Sequence, residues 1–204
     1  MTFDFTPEQK TLISTARNAA SLPQKATDAV LVIEERASAN AAEAARFGFE
    51  GVGGRSNTTA ALMPGLEGSE AALSSIPESH RLRAKLIAAA IALGVGRAAV
   101  AHAVASMKKG DVKPGPDTTV PHRALADGAT EVEAARMLTY SAAQSLDRGD
   151  RADDLITRAL EYASKAAQRA VDAAIRVEGA SGYLKGGLLE RLSRDARTLQ
   201  VILR

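Results

Sequence analysis

The chain has 204 residues, with 26 basic and 24 acidic side chains and a formal net charge of +2. Charges of both signs are interspersed and form no long basic stripe, which argues against a specific nucleic-acid role. The absence of Cys excludes disulfides, thiolate metal sites and cysteine nucleophiles.

No apolar run approaches the ~18 residues of a spanning helix, so no membrane role is expected. The opening "MTFDFTPEQK" lacks the basic start and apolar stretch of a signal peptide, so a cytoplasmic protein is the expectation. The size suits one domain with a small addition: residues 1–63 read as an N-terminal helical segment and linker, residues 64–204 as a helical bundle. Aromatics make up 3% of the chain, and the four Phe (Phe3, Phe5, Phe47, Phe49) all lie in the first quarter. The remainder must build its core from Ala, Leu, Val and Ile, and small side chains suit helices that approach closely.

Taken in order, Thr6, Pro7 and Gln9 form the start signature of a first helix: an N-cap, a first-position proline and a capping-box partner. Leu12, Ile13 and Ala16 give it an apolar stripe. A second helix is predicted from near Pro23 to about Phe47, with Val30, Ile33, Ala37, Ala41 and Ala44 on one face. Residues 48–67 are rich in Gly and read as a connector. Their "VGGRSN" lacks the lysine and preceding strand of a phosphate loop, so a plain turn is the preferred reading. A short helix is predicted over Glu67 to Ser75.

A long helix follows to about Lys108, with Leu86, Ala90, Leu93, Ala98, Ala101 and Val104 as its buried face. Gly94 and Gly96 each cost this helix ~1 kcal/mol of propensity, which close approach by another helix would justify. After a Pro/Gly-rich connection, a helix runs from about Val120 to Asp147 with Val132, Ala135, Thr139, Ala142 and Leu146 inward. Gly149 marks its stop. The next helix spans about Ala152 to Val177, with Ile156, Leu160, Ala163, Ala167, Ala170, Ala174 and Val177 as its stripe. "EGASGYLKGG" ends it, and a last helix covers Leu188 to Leu203. No segment alternates with period two, so the predicted fold is all-α: an antiparallel four-helix bundle with a short N-terminal helical appendage.

Generic sites are poorly supported. His80, His102 and His122 share no metal-ligand spacing. Glu131 and Glu133 point to different helix faces, and Glu131 is expected in solvent or on an arginine. Glu190, Arg191, Arg194, Asp195 and Arg197 read as an ion-pair cluster in preference to a phosphate patch. Ser141 and Ser145 have no His partner for a hydrolase triad.

Several stretches resemble the acyl-CoA dehydrogenase family of flavoproteins. "FTPEQKTLISTARNAA" is similar to its opening helix. "MPGLEGSEAALSSIPESHRLRAKLIAAAIALGVGRAAV" is similar to the entry into its C-terminal helical domain. "LADGATEVEAARMLTYSAAQSLDRG" and "YASKAAQRAVDAAIRVEGASGYLKGGLLERLSRDAR" resemble its last three helices. The likeness covers roughly residues 1–20 and 64–204. Residues 21–63 stand where most of the family's first domain would be, and no stretch resembles its middle β-domain.

The resemblance implies FAD as cofactor and acyl-CoA as substrate, and it places candidate cofactor-binding residues at Lys108, Arg176, Gly179 and Ala180. Lys108 stands at the family's phosphate-binding arginine, without the Phe-Gly that follows it there. "RVEGASGY" stands for the family's Q-x-x-G-G-x-G-Y turn, with Arg176 for Gln, Gly179 kept and Ala180 for the second Gly. The family's base is a glutamate that removes the proton α to the thioester carbonyl. In "RDARTLQVILR" its position is Leu203, and the alternative position used in some branches is Ala84. Neither side chain can take a proton, so no catalytic residue is assigned. The expectation is an acyl-CoA dehydrogenase-like protein without dehydrogenase activity alone, acting as an oligomerising or partner subunit. It would pair with itself or with a full-length acyl-CoA dehydrogenase. The alternative is an FAD-dependent acyl-CoA oxidoreductase with a rebuilt or partner-completed site.

Overall fold

The first helix begins where its sequence signature says. The Thr6 N–H donates to Gln9 Oε1 at 3.1 Å and the Gln9 N–H to Thr6 Oγ1 at 3.3 Å, a reciprocal capping box. The computed structural model describes residues 6–15, 24–39, 78–110 and 119–201. These form α1 (Pro7–Thr15), α2 (Ala26–Ala39), α3 (Glu78–Lys109), α4 (Thr119–Asp147), α5 (Asp153–Glu178), a 3-10 turn (Gly179–Tyr183) and α6 (Leu188–Val201). There is no strand among the described residues. The predicted helix over Glu67 to Ser75, the extension of the second helix beyond residue 39, the 63/64 boundary and Leu203 lie outside them.

Helices α3 to α6 alternate in direction. Leu86 to Ala90 of α3 pack with Tyr140 to Ala143 of α4 and Ile156 to Ala159 of α5, while Val95 to Ala103 meet Leu125, Val171 to Val177 and Leu189 to Ala196. Thus α3 and α5 run parallel, and α4 and α6 run against them. Between these layers Ala88, Ala89, Ala92, Ala163, Ala166, Ala167 and Ala170 line a seam with Leu93, Val132 and Leu160. Small side chains there let the α3 and α5 backbones come close, as the aromatic-poor composition requires.

The glycines of α3 have the predicted role. A Cβ on Gly94 would lie 2.4 Å from Ala37 Cβ and 2.8 Å from the Glu34 carbonyl oxygen of α2, and one on Gly96 would lie 2.8 Å from Val132 Cγ2. The predicted stripes of α4 and α5 are inward, with Leu146 half-buried. On α3, Ala101 is exposed, and the buried line passes through Ala99 and Ala103 instead. Helices α2, α4 and α5 all pack on the middle of α3, so burial there is broad; towards its end, among the described residues, the covered face turns to Leu125 of α4 and to α5 and α6. By length and composition α3 is apolar enough over Arg81–Lys109 to cross a membrane, contrary to the sequence reading. Its apolar surface is taken up inside the bundle.

The N-terminal appendage is joined to this core through α2. Ala29 to Ile33 form a continuous apolar run, and each is at most 9% exposed. The start of α2 is capped from outside: Asp147, at the end of α4, accepts the N–H groups of Ala26 at 2.6 Å and Thr27 at 2.9 Å. A carboxylate at a helix N-terminus meets both its free donors and the positive end of its dipole.

Candidate functional site

Among the described residues, three regions bear on the candidate chemistry, apart from the polar cleft of about 470 Å³ where Thr6, Gln9, Lys25 and Asp28 meet Asp147 and Arg148. At the end of the bundle where α3 and α5 finish, Glu178 Oε1 lies 2.8 Å from Ser106 Oγ and 2.9 Å from His102 Nε2. This contact brings together the termini that carry Lys108 on α3, Arg176 on α5, and Gly179 and Ala180 in the turn. All four predicted residues are exposed. Gly179 has φ +67° and ends α5, a conformation that favours glycine. Gly182 is needed for a different reason, since a Cβ there would lie 3.2 Å from the Ile175 backbone. The Gly186 N–H donates to Glu190 Oε2 at 3.4 Å, and Glu190 pairs with Arg194 at 2.9 Å. A carboxylate therefore already sits at the start of α6.

A flavin, when bound in proteins of this kind, supplies the acceptor for the substrate's hydride. Its diphosphate would meet two exposed cations here, Lys108 and Arg176, at the helix ends that also carry the Glu178 carboxylate. The helix ends contributed by α3 and α5 are C-terminal and carry the negative end of the dipole. By themselves these residues do not make a phosphate cradle, and no chemical step is routed through a flavin.

The second region lies between α5 and α6. A groove of about 310 Å³ is lined by Thr157, Leu160, Glu161, Ser164, Lys165, Leu199 and Gln200. Gln200 Nε2 donates to the Ser164 carbonyl oxygen at 3.4 Å, and Lys85 of α3 donates to Thr157 Oγ1 at 3.0 Å. Lys85 of α3 and Gln200 of α6 thus both reach the Thr157 to Ser164 stretch of α5. Ala84 is 7% exposed and offers no acceptor. The groove's carboxylate, Glu161, is exposed and paired with Lys165 at 2.6 Å.

The third region escaped the sequence reading. Glu34 of α2 is fully buried. Its Oε1 accepts from Arg97 Nη1 at 2.7 Å and lies 2.9 Å from Arg136 Nε; its Oε2 accepts from the Tyr140 hydroxyl at 2.8 Å. Arg97 also reaches Glu35 at 2.8 Å, and the Arg136 guanidinium stands 5.6 Å from the Tyr140 ring centre. Burial pulls the Arg97 pKa down, but Glu34 and Glu35 outweigh it and hold the group above its ordinary value. Burial first, then Glu34, pushes the Tyr140 phenol well above its usual range. The Glu34 carboxylate is itself closed to solvent and saturated with donors, while Arg97, Arg136 and Glu35 keep part of their surface in water, so Glu34 is not a base for a substrate. Its signal in the sequence was a Glu ending the apolar run Ala29 to Ile33, with Arg136 and Tyr140 four apart on α4.

The remaining predicted groups have structural roles. Glu131 is held by Arg169. Asp195 is half-buried in α6; burial raises its pKa to about 7, with Arg194 and Arg191 only partly offsetting it. No group of metal-ligating side chains is found among the described residues.

Residues 74–202 match the family model for the acyl-CoA dehydrogenase C-terminal domain. The chain belongs to this family. A 3-(aryl)acrylate reductase of Clostridium sporogenes (strain ATCC 15579) is 36% identical over 115 residues, covering 55% of this chain and 30% of that protein. The caffeyl-CoA reductase-Etf complex subunit CarC of Acetobacterium woodii is 35% identical over 77 residues, covering 38% of this chain and 20% of the relative. Among solved structures, an acyl-CoA dehydrogenase from Slackia heliotrinireducens matches with a TM-score of 0.57 and 25% identity, over 62% of this chain and 34% of that one. This acyl-CoA dehydrogenase-like chain therefore spans about a third or less of the proteins it matches. Family members are generally flavoproteins and form oligomers and complexes, as the Etf-complex relative illustrates.

Proposed function

We propose that this chain is an acyl-CoA dehydrogenase-like helical subunit that does not dehydrogenate acyl-CoA alone and acts by assembling with other chains. The observation that carries this reading is the pair of empty base positions. Removing an α-proton requires an acceptor within hydrogen-bond reach. Ala84 provides none, Leu203 provides none, and the fully buried carboxylate of Glu34 has its oxygens filled. A preserved bundle without its base favours a role in assembly, either as a homo-oligomer or beside a full-length acyl-CoA dehydrogenase. The test is turnover of acyl-CoA by the purified chain with added FAD and an artificial electron acceptor. No turnover is expected, and light scattering is expected to show an oligomer. Turnover by the chain alone would overturn the reading.

One observation favours a second reading, an FAD-dependent acyl-CoA oxidoreductase whose site a partner completes. Lys108, Arg176 and Gly179 lie at one end of the bundle, tied by Glu178 to Ser106 and His102. An absorbance scan separates the two readings. A yellow preparation, or one that binds added FAD, supports the second; a colourless one that does not bind FAD supports the first.

A further inference from the structure

The way α2 is held poses a problem that hydrophobicity cannot solve. Residues Ala29, Val30, Leu31, Val32 and Ile33 are consecutive and all buried. A stripe at helical spacing tells a helix which face to turn inward. A continuous run does not, because burial energy is non-directional. Rotated about its axis or slid by a turn, α2 would still present apolar side chains to α3 and α4. The Asp147 cap holds the start of α2 through the N–H groups of Ala26 and Thr27 and the Thr27 hydroxyl, which limits sliding, but a grip at one end leaves the rotation of the helix along its length open.

Two features do choose. Glu34 ends the apolar run, and its carboxylate meets Arg97 of α3 and both Arg136 and Tyr140 of α4. Donors on two different helices fix rotation and axial position together. Gly94 adds a seat on α3, where the Ala37 Cβ, the Glu34 carbonyl oxygen and the Ser38 nitrogen all lie within 3.0 Å of where a Cβ would be. In another rotation Glu34 would lose these donors, and a carboxylate left buried without them is strongly unfavourable.

We infer that Glu34 is a register key: its network with Arg97, Arg136 and Tyr140 selects one placement of α2 on the bundle and adds little net stability. Taking several charges out of water offsets most of what their pairing returns, and apolar replacements of such sets are often neutral or stabilising. The network therefore acts on the choice between docked states, more than on the balance between docked and unfolded.

The chain has no Cys, so paired spin labels can be placed without background. Ser38→Cys near the end of α2 and Lys165→Cys, an exposed position of α5, give one reporter pair for pulsed EPR. In the otherwise native chain a single narrow distance is expected. With Glu34→Gln, a near-isosteric change, the helical content should persist while the distance distribution broadens or splits. A fourfold variant, Glu34→Leu with Arg97→Met, Arg136→Met and Tyr140→Phe, should melt cooperatively at or above the native temperature and show the same broadening. If either folded variant keeps the single native distance, packing alone sets the register and the inference is overturned. A broad distribution in the native background would overturn it as well. Should the fourfold variant fail to fold, Glu34→Gln decides.

Discussion

Replacing Gly94 by Ala tests whether α2 truly sits on α3, because two opposing effects can be separated. In a helix open to solvent, Gly→Ala would stabilise by about 1 kcal/mol through propensity. Here the new methyl would lie 2.4 Å from Ala37 Cβ, 2.8 Å from the Glu34 carbonyl oxygen and 2.9 Å from the Ser38 nitrogen. Two of these neighbours are backbone, so relief requires α2 itself to move. Overpacking costs about 1–3 kcal/mol, and immovable neighbours favour the upper part of that range. The net loss is about 1–2 kcal/mol, read as a fall in melting temperature of roughly 2–8 °C for a chain of this size. Two glycines form a graded series with it. At Gly96 the nearest obstacles are Val132 Cγ2 at 2.8 Å and Ala167 Cα at 3.3 Å; at Gly128 the nearest is Ala170 Cα at 3.1 Å. Thermal denaturation followed by circular dichroism should rank the losses Gly94, then Gly96, then Gly128. A rise in melting temperature for Gly94→Ala would refute the seating of α2 on α3.

Three further outcomes follow from the same contacts. Tyr140→Phe removes a hydroxyl that donates to a buried carboxylate, and chemical denaturation should show a loss of about 1.5–3 kcal/mol; no loss would mean that the arginines alone satisfy Glu34. Asp147→Ala removes the cap of α2 at a cost of about 1–2 kcal/mol, and hydrogen exchange should quicken first at Ala26 and Thr27; unchanged exchange there would count against the cap. Asp195 has a folded pKa of about 7 against an ordinary value of 3.8, so the unfolded chain gives up this proton first. Its contribution falls as pH rises from about 4 to about 7 and is constant above that. Asp195→Asn should therefore gain stability over the native chain at pH 8 but not at pH 3.5, and an equal difference at both would contradict the assignment.

Much of the bundle was legible because its helices repeat apolar residues at helical spacing. The α5 stripe from Ile156 to Val177 is an unbroken series of Ala, Leu, Ile and Val, and each predicted position is buried. The close approaches at Gly94 and Gly96 were legible too, since glycine in mid-helix demands a steric reason. On α2 the signal failed for the opposite cause: a continuous apolar run carries no period, so Leu31, Val32 and Glu34 were not picked out as buried. Glu34 was also hidden because its partners lie far off in sequence, and no local rule connects it to Arg97 or Tyr140. The candidate cofactor residues came from resemblance, and the fold does gather Lys108, Arg176, Gly179 and Ala180 at one end. What the motif could not convey was the company they keep, with the Glu178 carboxylate bound to Ser106 and His102 at the same helix ends.

The cap on α2 also has a consequence for how the chain is made. Asp147 is separated by 121 positions from the Ala26 amide it accepts, and Tyr140 by 106 from Glu34. A 14-residue helix is marginal on its own in water. During synthesis the stretch from Ala29 to Ile33 leaves the ribosome long before α4 exists, with neither its cap nor the donors for its buried carboxylate. Its apolar run stays uncovered until α3 emerges, and its docking stays incomplete until α4 brings Asp147, Arg136 and Tyr140. A truncated or stalled product ending before α3 would expose that surface, and such intermediates are the ones that chaperones bind and that aggregate.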